Sequence, residues 1–110
     1  MDEDVLAELE QRLGRIYARQ RDLIVTATVG SSAEVMADGN VHVYGALRGR
    51  AMAGAQGDPA TRVFCQEFYA ELVSIAGVFK VFETVPTELS GQPVQAWLAG
   101  DDLRFAPIGG

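Results

Sequence analysis

Apolar residues recur at every sixth position through the first half of the chain: Leu23, Val29, Val35, Val41, Leu47 and Ala53. An α-helix turns once in about 3.6 residues and cannot hold one side inward at that spacing for long. A six-residue step fits a short strand followed by a corner. Three steps make a second repeat of eighteen, in which Asp22-Leu23-Ile24-Val25 returns as Asn40-Val41-His42-Val43 and Gly39 returns as Gly57. Three faces close one coil, and stacked coils make a parallel β-helix. The pattern therefore predicts a rigid triangular prism that presents flat walls to partners, without a cleft for chemistry.

Within each strand the alternation sets inside and outside. Leu23 and Val25 point inward, with Ile24 and Thr26 outward; Val41 and Val43 repeat the inward pair, with His42 and Tyr44 outward. Gly30, Ser31, Gly39, Asn40, Gly45, Gly49, Gly54 and Gly57 mark corners, where positive φ favours glycine. Arg62-Val63-Phe64-Cys65 arrives twenty-two residues after Asn40-Val41-His42-Val43, so four residues are inserted, at Gly57–Thr61, and should bulge out as a loop. The six-step then resumes at Val63, Tyr69, Ile75 and Val81. Near the end, Val94, Ala96 and Leu98 alternate with Gln95 and Trp97, a turn follows at Ala99-Gly100-Asp101-Asp102, and Leu103 and Phe105 form a closing strand.

Asp2 to Leu13 reads as a helix, with Val5, Leu6, Leu9 and Leu13 at helical spacing, acidic residues at its start and Gly14 as its stop. It would cap the first open coil, whose apolar surface and unpaired backbone need cover. The expected organisation is an N-terminal helical cap over residues 1–14 and a β-helix domain over 15–108. The fold class is all-β, a short parallel β-helix with a short N-terminal α-helix. Ile24, His42 and Phe64 would stack in one external column. An apolar column of that kind is most simply covered by a two-fold homodimer.

Composition narrows the function. The 110 residues carry a net charge of −6, which opposes nucleic-acid binding and a polybasic membrane anchor. The single cysteine, Cys65, excludes an internal disulfide and points to a reducing, cytoplasmic compartment. No apolar run reaches transmembrane length, and the acidic first ten residues have the wrong sign for a signal peptide.

Candidate chemistry is sparse. His42, the only histidine, allows a hexapeptide-repeat acyltransferase with a histidine base, but no nucleophile accompanies it. Cys65 falls at an inward position, where a thiol acts as a small hydrophobe. One Cys and one His with scattered carboxylates give no metal-ligand spacing, and the glycines form no phosphate loop, so no cofactor is expected. Arg48-Gly49-Arg50 stands out: two arginines bracket a corner in an acidic chain, and a guanidinium can grip a carboxylate through paired hydrogen bonds.

Ala37-Asp38-Gly39-Asn40-Val41-His42-Val43-Tyr44-Gly45, followed by Leu47-Arg48-Gly49-Arg50-Ala51-Met52-Ala53-Gly54-Ala55, resembles the C-terminal domain of the MinC family of bacterial septum-site inhibitors. Ile16-Tyr17-Ala18, Asp22-Leu23-Ile24-Val25 and Phe64-Cys65 followed by Ala70–Gly77 agree in order and spacing, and the likeness spans about Arg15 to Pro107. The resemblance implies a right-handed β-helix that dimerises through one face and is not an enzyme. It also implies two partners: the membrane-associated ATPase MinD, which would bring the protein to the membrane indirectly, and FtsZ at the nascent division ring. The second arginine of the family's Arg-Gly-Arg motif, implicated in septal targeting, maps to Arg50. The family's Arg-Ser-Gly-Gln motif for MinD is altered here to Gln11-Arg12-Leu13-Gly14-Arg15, leaving Arg12, Gly14 and Arg15 as candidates for that surface. From the residues alone, a structural β-helix polymer of the bactofilin type stays open beside the adaptor, as does the acyltransferase.

Overall fold

The computed structural model describes the backbone of residues 4–7 and the whole of residues 14–109. Among them are eleven strands: β1 (Asp4–Ala7), β2 (Arg15–Ala18), β3 (Asp22–Val25), β4 (Glu34–Ala37), β5 (Val41–Leu47), β6 (Arg50–Ala53), β7 (Val63–Phe68), β8 (Leu72–Ile75), β9 (Val78–Val81), β10 (Val94–Ala99) and β11 (Asp102–Pro107). They build two walls of a prism, with orders β1-β3-β5-β7-β10-β11 and β2-β4-β6-β8-β9. The third wall is narrow. There Val29 bridges Leu47 in parallel, and Ala46 and Leu47 pair with Glu67 and Phe68 after a register shift that turns β5 and β7 round a corner.

The hydrophobic ladder is the interior. Leu23, Val29, Val35, Val41 and Leu47 are fully buried and Ala53 nearly so. Leu23, Val41 and Val63 lie one above another in parallel register, as the eighteen-residue repeat requires. The corner beside them is tied by side chains. Asn40 N–H donates to Asp22 Oδ1 at 2.7 Å, and Arg62 N–H donates to Asn40 Oδ1 at 2.7 Å. Each coil's polar side chain thus satisfies a backbone donor of the next, where the strand ladder is interrupted.

Four expectations change. First, Asp4–Ala7 is a strand and not part of a helix. It extends the first wall, with Val5 level with Leu23. The edge of β3 would otherwise expose a row of unpaired amides and carbonyls, and a parallel strand satisfies them where a helix could not. The eighteen-step repeat in fact reaches back from Leu23 to Val5. The rest of the expected helix lies outside the described residues. Second, the four-residue slip is the net of two changes. Val35 pairs with Ala51, only sixteen positions on, because the Arg48-Gly49 corner is two residues shorter than the one before β4. The loop between β6 and β7 is correspondingly six longer than its predecessor between β4 and β5.

Third, the six-step does not resume as expected after Val63: Phe68 and Ala70 are buried and Tyr69 between them is not, and Val81 is exposed. The chain reverses at Ala76-Gly77, both at positive φ, and β9 returns antiparallel to β8. β10 is likewise antiparallel to β7, and β10 and β11 form the expected hairpin. Phe68, Phe82 and Phe105 meet with centroids 5.1–5.8 Å apart and close this end of the core. Fourth, not every corner glycine is there for positive φ. Gly54 is at +61°, but Gly49 is required by proximity, since a β-carbon there would overlap the carbonyl oxygens of Ala33 and Gly30.

Candidate functional site on the second wall

The wall of β2, β4, β6 and β8 buries Val35, Ala37, Ala51, Ala53, Val73 and Ile75 and turns the alternate residues outward. Register places Arg15 level with Glu34, Glu34 level with Arg50, and Arg50 level with Leu72. The result is an ionic ladder across three strands. Arg15 Nε donates to Glu34 Oε1 at 3.0 Å, and Arg50 Nη1 donates to Glu34 Oε2 at 3.1 Å. Each carboxylate oxygen therefore holds one arginine. Arg50 Nε also lies 3.8 Å from Glu71 Oε1, which accepts from Ser32 N–H at 3.2 Å. The Glu34 side chain is only 13% exposed, whereas those of Arg50 and Arg15 are 44% and 72% exposed.

The fold thus brings together two residues that sequence reasoning assigned to separate surfaces. Gly14 joins them: at φ +77° it turns the chain into β2, and its carbonyl accepts Glu34 N–H at 2.7 Å. Arg12 lies outside the described residues. Arg48 takes a different course from Arg50, stacking its guanidinium 4.4 Å from the Tyr69 ring centroid. Beside the ladder, Tyr17, Met36 and Met52 share a second outward column. Glu34 and Glu71 were missed because a strict eighteen-residue step aligns Glu34 with Met52 and not with Arg50.

The first wall carries the column of Ile24, His42 and Phe64, which occupy consecutive strands in register. The rings of His42 and Phe64 stack at 5.0 Å and 15°, and Tyr44, 51% exposed, extends the stack at 6.3 Å from His42. His42 Nε2 lies 3.8 Å from Asp22 Oδ2. Cys65 is inward as expected, and burial pushes its thiol up to about 12 against a smaller opposing effect of a backbone hydrogen bond with Val94. That thiol is not a nucleophile at neutral pH. Among the described residues no group of three His, Cys, Asp or Glu could hold a metal ion, and no helix is long and apolar enough to cross a membrane.

Fold and walls together define a short parallel β-solenoid whose distinctive residues sit on flat outer faces. The family model described as the C-terminal domain of the septum formation inhibitor MinC matches residues 10–108, and the chain belongs to that family. The family is one of division inhibitors, not enzymes, so the acyltransferase reading of His42 is set aside. The chain is 54% identical over 94 residues to the probable septum site-determining protein MinC of Xanthomonas oryzae pv. oryzae, covering 86% of this chain and 38% of that protein. It is 52% identical over 94 residues to the corresponding protein of Xylella fastidiosa strain M12, covering 86% and 40%. The chain thus spans about two fifths of the length of the curated relatives it matches. Among solved structures it resembles a chain of the MinC:MinD cell division protein complex of Aquifex aeolicus, with a TM-score of 0.74 and 29% identity over 98% of this chain and 84% of that one.

Proposed function

We propose that this β-solenoid is the adaptor part of a cell-division inhibitor. It pairs with a second copy through the Ile24, His42 and Phe64 column, binds MinD through the surface around Gly14 and Arg15, and offers Arg50 to FtsZ at the septum. Its cytoplasmic pool would reach the membrane only through MinD. The observation that carries this reading is the likeness, over nearly the whole chain, to a chain of a MinC:MinD complex. The Gly14, Arg15, Glu34 and Arg50 assembly supplies a chemical reason, because exposed guanidinium groups suit carboxylates on a partner. Arg12 and the altered motif beside it keep their candidate role in MinD binding. Division of the chain into an N-terminal cap and a β-helix domain belongs to the same proposal.

The antiparallel β9 and β10 break parallel stacking at the C-terminal end, which disfavours an open-ended bactofilin-like polymer. The test is co-sedimentation with MinD on phospholipid vesicles. Binding should require ATP and should weaken in Arg15→Ala. ATP-independent binding, or none, would refute the adaptor reading.

A further inference from the structure

We propose that Glu34 is a built-in competitor for the acidic partner of Arg50, and that by holding Arg15 and Arg50 at once it couples the two docking surfaces. This rests on the proposed contact of Arg50 with FtsZ, and a guanidinium would meet such a partner through a segment with several carboxylates. Three observations lead to it. Arg50 is not a free cation: Glu34 Oε2 accepts its Nη1 at 3.1 Å, and Glu71 lies 3.8 Å from its Nε. A partner carboxylate must therefore displace or share these contacts. Glu34 is the least exposed member of the ladder and its backbone N–H is tied to the Gly14 carbonyl, so its carboxylate is the enclosed partner while both arginine heads face solvent. Finally, its other oxygen is occupied by Arg15 at 3.0 Å.

Two cations share one negative charge, so the loss of one strengthens the hold on the other. When a partner neutralises Arg15, Glu34 is left to Arg50 alone, and an acidic segment meets stiffer competition there. Reciprocity follows, because an effect of one ligand on the other's affinity must act equally in return. Glu34 thus acts as a specificity-setting residue. A weakly acidic surface does not dislodge it, whereas a segment with several carboxylates can engage Arg50 against it.

The experiment titrates a labelled synthetic FtsZ peptide that carries several carboxylates against the chain and four variants, three single and one double, with thermal melting of each as the folding control. Arg50→Ala should weaken binding at least about five-fold, as expected for loss of a charge-assisted contact. Glu34→Gln should tighten it about two- to five-fold, the range set by a partly exposed ion pair. Arg15→Ala should weaken it about two-fold, and this effect should vanish in the Glu34→Gln background, where no shared carboxylate remains. Unchanged binding in Arg50→Ala overturns both this inference and the septal role of Arg50. Weaker binding in Arg50→Ala with equal or weaker binding in Glu34→Gln overturns only the competitor role. Should Glu34→Gln fail to fold, Arg15→Ala still decides, because Arg15 is 72% exposed and outside the core; unchanged or tighter binding there overturns the coupling.

Discussion

Leu23 and Ile24 are adjacent in β3, yet the fold gives them opposite roles, and truncating each to alanine separates those roles. Leu23 is fully buried, in register above Val41 and opposite the inward residues of the second wall. Leu→Ala in a core costs about 2 to 5 kcal/mol, the spread reflecting how far the surroundings collapse into the void. Here collapse is restricted, because the neighbouring coils are fixed by parallel ladders on both sides of β3. The upper half of the range applies, about 3.5 to 5 kcal/mol. At about 4 °C of melting temperature per kcal/mol for a domain near 100 residues, the midpoint should fall by roughly 14 to 20 °C. Ile24 is half-buried on the outer wall, so Ile24→Ala should cost the folded protomer about 1 kcal/mol or less. Its main effect should be on self-association. Urea unfolding followed by circular dichroism gives both costs, at fixed protomer concentration because the proposed dimerisation would contribute to apparent stability. Equal costs at the two positions, or a Leu23→Ala cost below about 1 kcal/mol, would refute the inside–outside assignment on which the stacked register depends.

Gly49→Ala should destabilise by about 1 to 3 kcal/mol, since the added methyl group has to push aside the Ala33 and Gly30 carbonyls; a melting curve superposable on the parent's would contradict the close approach. Cys65 should resist iodoacetamide at pH 8 in the folded protein and react readily once unfolded. Its folded-state pKa is raised by burial to about 12, so its contribution to stability is complete below the ordinary thiol range and is lost as pH climbs from there towards 12; unfolding midpoints measured across that window should fall. The proposed pairing through the His42 stack predicts that Phe64→Asp is a folded monomer where the parent chain is a dimer, read by sedimentation equilibrium; a variant that dimerises as the parent does would move the interface elsewhere.

What was legible in the chain was whatever depends on periods of two and six. Val35 and Leu47 announce themselves as interior because each repeats an apolar choice at fixed spacing, and the pairing of Ile24 with His42 follows from the same counting, Phe64 joining the column once the four-residue insertion is allowed for. Reversals and corner lengths are a different matter. Ala76 adopts φ +51° without being glycine, so the hairpin that ends the parallel stack has only Gly77 as its sequence mark. The Asp4–Ala7 strand was legible in principle, as Val5 precedes Leu23 by eighteen, but its leucines and acidic start also satisfy a helical reading. Competition for an open sheet edge decided between them.

The ionic ladder shows why a site can be harder to read than the fold that carries it. Shortening a corner by two residues leaves every inward residue inward, because side-chain direction has a period of two. The core therefore does not register the change, and no hydrophobic pattern records it. The outer face changes its partners completely. With the Arg48-Gly49 corner two residues tighter, Arg50 moves opposite Glu34, and Met52 moves opposite Met36. Without the contraction, Glu34 would face Met52 and hold Arg15 alone. The glycine that permits this tight corner does so because its missing β-carbon leaves room for the Ala33 and Gly30 carbonyls. The Arg-Gly-Arg triplet is thus a corner and a candidate site at once: Gly49 sets the register that delivers Arg50 to Glu34, while Arg48 is drawn off onto Tyr69.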